Sequence, residues 1–173
     1  IIFGVAQLKR FKIFLFFLFF SIFFFRKNKK NQHYYERHLV RLGSKYGGWI
    51  LLADKLTKNK KILSLGAGED ISFDVEIANK YGCYVDIFDP TPRSIEHIKL
   101  VLKNIGTKGS LSYSKTGFQP INSYSTENLS NHLNLFQKAV WIKNGEVKFY
   151  QPINKSSVSH SITGLEPSKL KNR

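Results

Sequence analysis

Gly66-Ala67-Gly68-Glu69-Asp70, and Asp89 lying 23 residues after Gly66, are the residues whose types and spacing could do chemistry. A glycine-rich turn that ends a strand and opens a helix points free N–H groups at a ligand. Glycine at positions 66 and 68 lets the backbone come close, where a side chain would push the ligand away. A carboxylate closing the following strand can accept hydrogen bonds from both ribose hydroxyls of an adenosine. Together these residues describe half of a nucleotide-binding unit.

Two ligands use this plan. A dinucleotide site wants G-x-G-x-x-G. Here that frame reads Gly66-Ala67-Gly68-Glu69-Asp70-Ile71, with isoleucine in place of the third glycine. Glu69 and Asp70 would stand beside a pyrophosphate and repel it. S-adenosylmethionine carries no phosphate. Its sulfonium and ammonium groups would gain from carboxylates near the turn. The residues therefore favour S-adenosylmethionine over NAD. The bland alternative is a strand-to-helix turn that binds nothing.

The elements that must position these residues are readable on either side. "KILSLG" alternates and is rich in Ile and Leu, as a buried strand would be. "EDISFDVEIANKYG" reads as a helix with Ile71, Val75 and Ala78 on one face, Phe73 and Ile77 beside it, and Gly82 as its stop. "CYVDIFD" is a second strand. "TPRSIEHIKLVLKNIG" is a second helix, opened by Thr91 with Pro92 in its first turn and closed at Gly106. The order βαβα predicts an α/β fold with a parallel sheet.

Flanking segments are less regular. "HYYERHLVRL" fits a short amphipathic helix, and "GSKYGGWILL" fits a strand–turn–strand around Gly47-Gly48, with Trp49 as a packing anchor. Residues 107–135 read as Ser- and Asn-rich loop with one short strand at most. "FQKAVWIKNGEVKFYQP" predicts two strands joined across Asn144-Gly145, a strong hairpin signal. "SSVSHSITG" reads as a loop or an edge strand.

The net charge of +15 is unevenly spread: residues 1–61 hold 14 Lys/Arg against 2 Asp/Glu, and the remainder 13 against 10. The basic residues crowd around Ile13–Phe25, a run of 13 residues without a charge. That pattern points to a membrane surface and away from nucleic acid, with a plain solvated basic tail as the bland alternative. As a helix the run would be about 20 Å long, short for a bilayer core of about 30 Å. A membrane anchor, an interfacial segment and non-native sequence upstream of a true start are the competing readings. The division expected is 1–32 as a hydrophobic, basic-flanked segment and linker, and 33–173 as an incomplete domain. The absence of methionine suggests a fragment. Cys83, the single cysteine, cannot form an internal disulfide and reads as a small core residue. The five histidines, His33, His38, His97, His132 and His160, show no ligand spacing, so no metal is expected.

"LSLGAGEDISFD" followed by "VDIFDPTPRSIEHI" resembles the FkbM-type S-adenosylmethionine-dependent methyltransferases. "RLGSKYGGWIL", "NGEVKFYQP" and "SVSHSI" are similar to further stretches of that family, so the likeness runs from Leu39 to Ile162. The resemblance implies a partial doubly wound, Rossmann-like sheet of the class I methyltransferase kind. It also implies that Gly66, Ala67, Gly68 and Glu69 wrap the methionine part of S-adenosylmethionine, that Asp89 holds the ribose, and that Pro90 and Thr91 shape the adenosine pocket. The activity implied is O-methylation of a hydroxyl on a sugar or small metabolite, so the partner is a small-molecule or glycan acceptor. The family's Asp-x-Glu-Gly signature does not follow Ile162, and the C-terminal half of the sheet is expected to be missing. The fragment itself is then expected to be inactive. No catalytic base stands out; His160 is a polar candidate that reads more simply as a loop residue. A membrane-anchored protein with a cytoplasmic domain is the expected location, or a cytoplasmic one if the apolar run is not native. The alternatives are a membrane-tethered degenerate nucleotide-binding module and an NAD-dependent enzyme.

Overall fold

The computed structural model describes residues 2–7, 38–151 and 160–162. The apolar run Ile13–Phe25, the basic linker after it, the start of the folded part near Tyr34 and the first three residues of "SVSHSI" lie outside the described residues. In chain order the strands are β1 (Ile2–Gln7), β2 (Leu39–Leu42), β3 (Trp49–Leu52), β4 (Lys61–Leu65), β5 (Tyr84–Phe88), β6 (Leu133–Phe136), β7 (Ala139–Trp141) and β8 (Gly145–Lys148). Helix α1 (Ser72–Tyr81) joins β4 to β5, and α2 (Pro92–Lys103) follows β5. The fold is mixed α/β.

Three parallel strands in the order β4-β5-β6 carry the two helices. The arrangement is compatible with part of a Rossmann-like unit. Period two decides which residues each face of the sheet presents. Ile62, Val85, Ile87, Leu133 and Leu135 face the core with Ile71, Val75, Ile77 and Ala78 of the α1 segment and Ile98 and Val101 of α2. The alternate residues lie in register on the other face. There Lys61 pairs with Asp86 at 3.0 Å, and Phe88 stacks on Phe136 with centroids 4.7 Å apart. Leu65, at the end of β4 on that face, is 45% exposed.

Helix α1 ends as the sequence requires. Gly82 takes the left-handed conformation (φ +62°) and its N–H reaches the Ala78 carbonyl at 2.9 Å. Pro92 opens α2. Cys83 is fully buried, and burial pushes its thiol pKa up.

Three expectations need correction. The residues Leu39–Leu42, read as part of an amphipathic helix, form β2 and pair antiparallel with β3 from Leu39↔Leu52 to Leu42↔Trp49. The Gly47-Gly48 turn thus closes a hairpin whose first strand is β2. Four residues with apolar ends satisfy either period, and the cross-strand pairing decides between them. Trp49 is 59% exposed and anchors no core. Across Asn144-Gly145, β7 and β8 do not pair with each other, because β1 lies between them, parallel to β7 and antiparallel to β8.

Candidate functional site

The turn after β4 extends the parallel ladder by one bond, with Gly66 N–H donating to the Phe88 carbonyl at 2.9 Å. The chain then turns away through Gly66 (φ +81°) and Gly68 (φ +61°), conformations that side-chain-bearing residues rarely adopt. A Cβ placed on Gly66 would meet nothing within 4 Å. The glycine is therefore required by its backbone angle, and the space beside it is open.

Asp89 leaves the end of β5 and folds back onto this turn. Its Oδ2 accepts the N–H groups of Ala67 (2.8 Å) and Gly68 (3.0 Å). Its Oδ1 accepts the Thr91 N–H (2.8 Å) and the Thr91 hydroxyl (2.6 Å). The side chain that could cap α2 is thus spent on Asp89, and no side-chain cap is made. Asp89 is 3% exposed, and Pro90 and Thr91 are buried beside it. The structure therefore brings Ala67, Gly68, Asp89 and Thr91 into one hydrogen-bonded unit, with Gly66 on its open side.

Glu69 and Asp70 point into different partnerships. Arg93 on α2 grips Glu69 with its Nε (3.2 Å) and Nη2 (2.6 Å). Asp70 is buried and works as a hub. Its Oδ2 accepts the Ser44 hydroxyl (2.6 Å), the Gly47 N–H (3.2 Å) and the Gln119 amide (2.9 Å), and its Oδ1 accepts the Ser72 N–H (3.0 Å). One carboxylate thus ties the β2–β3 turn, the start of α1 and the 114–119 loop together. Gly47 has no room for a side chain, since a Cβ there would sit 2.6 Å from the Asp70 carboxyl carbon. Ser44, Gln119 and Arg93 were missed by sequence reasoning. "GSKYGG" carried a signal only for the turn, and nothing in it pointed to Asp70.

Behind the turn lies a buried polar group. Tyr124 accepts the Ile71 N–H at 3.2 Å and pairs with His97 Nε2 at 2.8 Å. Burial pulls the His97 pKa down to about 4, against a smaller upward pull from Asp70. Burial likewise pushes the hydroxyls of Tyr124 and Tyr113 well above the usual tyrosine range. Asp74 on α1 is buried with Oδ1 unpartnered. Burial raises its pKa to about 6, with Ser64 offsetting part of the rise. His160 lines a groove of ≈ 340 Å³ with Ala139, Trp141 and Phe149.

Among the described residues no group of three or more His, Cys, Asp or Glu side chains is arranged to hold a metal ion. Among the same residues no helix is long and apolar enough to cross a membrane. The chain matches no family model, no curated protein and no solved structure.

Proposed function

We propose that this chain contributes the cofactor-binding half of an S-adenosylmethionine-dependent methyltransferase of the class I kind, acting on a hydroxyl of a sugar or small metabolite. The observation that carries the reading is the position of Asp89. It ends the second parallel strand and is bonded to the glycine turn that ends the first. That is the carboxyl edge of a parallel sheet, where nucleotide-like ligands bind.

The residues at the turn fit the cofactor. The open side of Gly66 leaves room for a ligand against bare backbone. Two carboxylates, Glu69 and Asp89, stand against one guanidinium, Arg93, at the turn, which suits a cationic ligand better than a pyrophosphate. Bound S-adenosylmethionine supplies an activated methyl group for in-line transfer to a nucleophile. The turn's part is then positioning, the largest contribution such a reaction needs from the protein. All four acceptor positions of Asp89 are engaged, so a ribose hydroxyl reaches it by displacing one donor. Replacing the Thr91 hydroxyl on Oδ1 leaves Oδ2 on the turn.

Calorimetry with S-adenosylhomocysteine, repeated in the presence of NADH, tests the reading. The expected result is binding that NADH does not compete away. Gly66→Val should abolish it, because the added side chain fills the open space and valine is strained at φ +81°, while helical circular dichroism stays largely unchanged because α1 and α2 lie outside the turn. Tight binding by that variant, or binding of NADH alone, would remove S-adenosylmethionine from the proposal.

A further inference from the structure

We infer that the Asp89 carboxylate acts as a built-in anion that fills the glycine turn and makes it reject phosphate-bearing ligands. Consecutive backbone N–H groups at a turn that opens a helix form a concavity that attracts anions. In this chain the two such groups at the heart of the turn are already taken. Ala67 and Gly68 both donate to the same oxygen, Oδ2, at 2.8 and 3.0 Å. The other oxygen is fixed by two bonds from Thr91, at 2.8 and 2.6 Å. Four bonds and 3% exposure leave the carboxylate no freedom to swing aside without breaking a pair of them.

A phosphate approaching the turn would have to displace this internal anion and then stand beside Glu69. The nearby cation offers little help, since Arg93 is spent on Glu69 at 2.6 Å. A ligand that presents hydroxyls and positive charge need displace only the Thr91 hydroxyl from Oδ1, and it leaves the Oδ2 bonds to the turn in place. Asp89 is therefore a specificity-determining residue. It positions the turn and sets the sign of charge the turn accepts. This role rests on the reading that the turn is the ligand site.

Inorganic pyrophosphate is the probe, titrated into the full chain by calorimetry and followed at the backbone amides by NMR. The wild-type protein should show no pyrophosphate binding, and the Ala67 and Gly68 amides should be protected from exchange and unmoved by it. Asp89→Ala, which frees both N–H groups, should gain pyrophosphate affinity by at least about tenfold, and Asp89→Asn, which keeps the shape without the charge, by less. A folded Asp89→Ala protein that gains no affinity would overturn the role. So would pyrophosphate shifting the Ala67 and Gly68 amides of the wild-type protein. If neither variant folds, the wild-type amides decide, with rapid exchange at Ala67 and Gly68 counting against the role. S-adenosylhomocysteine run alongside keeps the two questions apart. Failure to bind it sinks the methyltransferase reading and leaves the pyrophosphate comparison to stand on its own result.

Discussion

Asp89 and Asp74 are both 3% exposed, yet the two carboxylates live in opposite surroundings. Asp89, at the carboxyl end of the sheet, accepts four hydrogen bonds, two on each oxygen. Asp74, in the first turn of α1, leaves Oδ1 without a hydrogen-bond partner, and its pKa rises to about 6. Burial alone does not fix what a carboxylate costs. The donors aimed at it do. At Asp89 the backbone itself supplies three of them, which organises the turn. At Asp74 the helix and sheet supply too few, and the charge is a burden at neutral pH.

Removing the better-served carboxylate should have the largest effect. Asp89→Ala strands the N–H groups of Ala67, Gly68 and Thr91 and the Thr91 hydroxyl. A loss of roughly 3 kcal/mol or more is expected, since each buried orphan costs about 1–3 kcal/mol. Denaturant unfolding at neutral pH measures it. A loss near zero would mean that water replaces the carboxylate without penalty, and the contrast with Asp74 would collapse.

Neutralising the poorly served carboxylate should do the reverse. The folded pKa of Asp74, about 6, lies above the ordinary 3.8. The folded state therefore holds the proton more tightly, so stability is full below pH 3.8 and is lost as pH rises through about 6. Asp74→Asn should then stabilise the protein at pH 7 by up to about 3 kcal/mol, with the gain vanishing near pH 4. His97 runs the other way. Its folded pKa, about 4, lies below 6.5, so its contribution is full above pH 6.5 and is lost as pH falls towards 4. Between those limits the two slopes oppose each other in the wild-type protein. The Asp74→Asn variant should expose the His97 slope as a fall in stability on acidification. A variant whose pH profile parallels the wild type would show that Asp74 is ionised at no cost.

A smaller effect should follow at Gly47. Its added Cβ would press on the Asp70 carboxyl, and Gly47→Ala should cost about 1–3 kcal/mol, in the range of overpacking. Thermal unfolding checks this. An unchanged transition would mean that the β2–β3 turn relaxes away from Asp70 freely, and that the hub is looser than its four bonds suggest.

Much of the positioning frame was legible in the sequence. The strand–turn–helix–strand–helix order from Lys61 to Lys103 follows from periodicity, from Gly82 as a stop and from Pro92 as a start, and all three are local signals. That the glycine turn and Asp89 lie at the same end of the sheet was legible, because two parallel strands bring their ends together; the bonds from Ala67 and Gly68 to Asp89 were not. What escaped was set by distant partners. Asp70 lies beside the turn in sequence, which suggested a charge offered to a ligand. Its Ser44 and Gln119 partners sit 26 and 49 residues away and turn it inward. Asn144-Gly145 carried a hairpin signal, but whether adjacent strands pair depends on what competes for their edges, and β1 took both. Strand β2 is too short for its period to separate strand from helix.

The most direct test of the account is to map S-adenosylhomocysteine onto the full chain by backbone amide shifts. The predicted result is a set of shifts centred on Gly66, Ala67, Gly68 and Thr91, with the Ala139–Trp141 and Gly145–Lys148 strands unmoved. No shifts at the turn, or shifts confined to the groove beside Trp141 and Phe149, would contradict it.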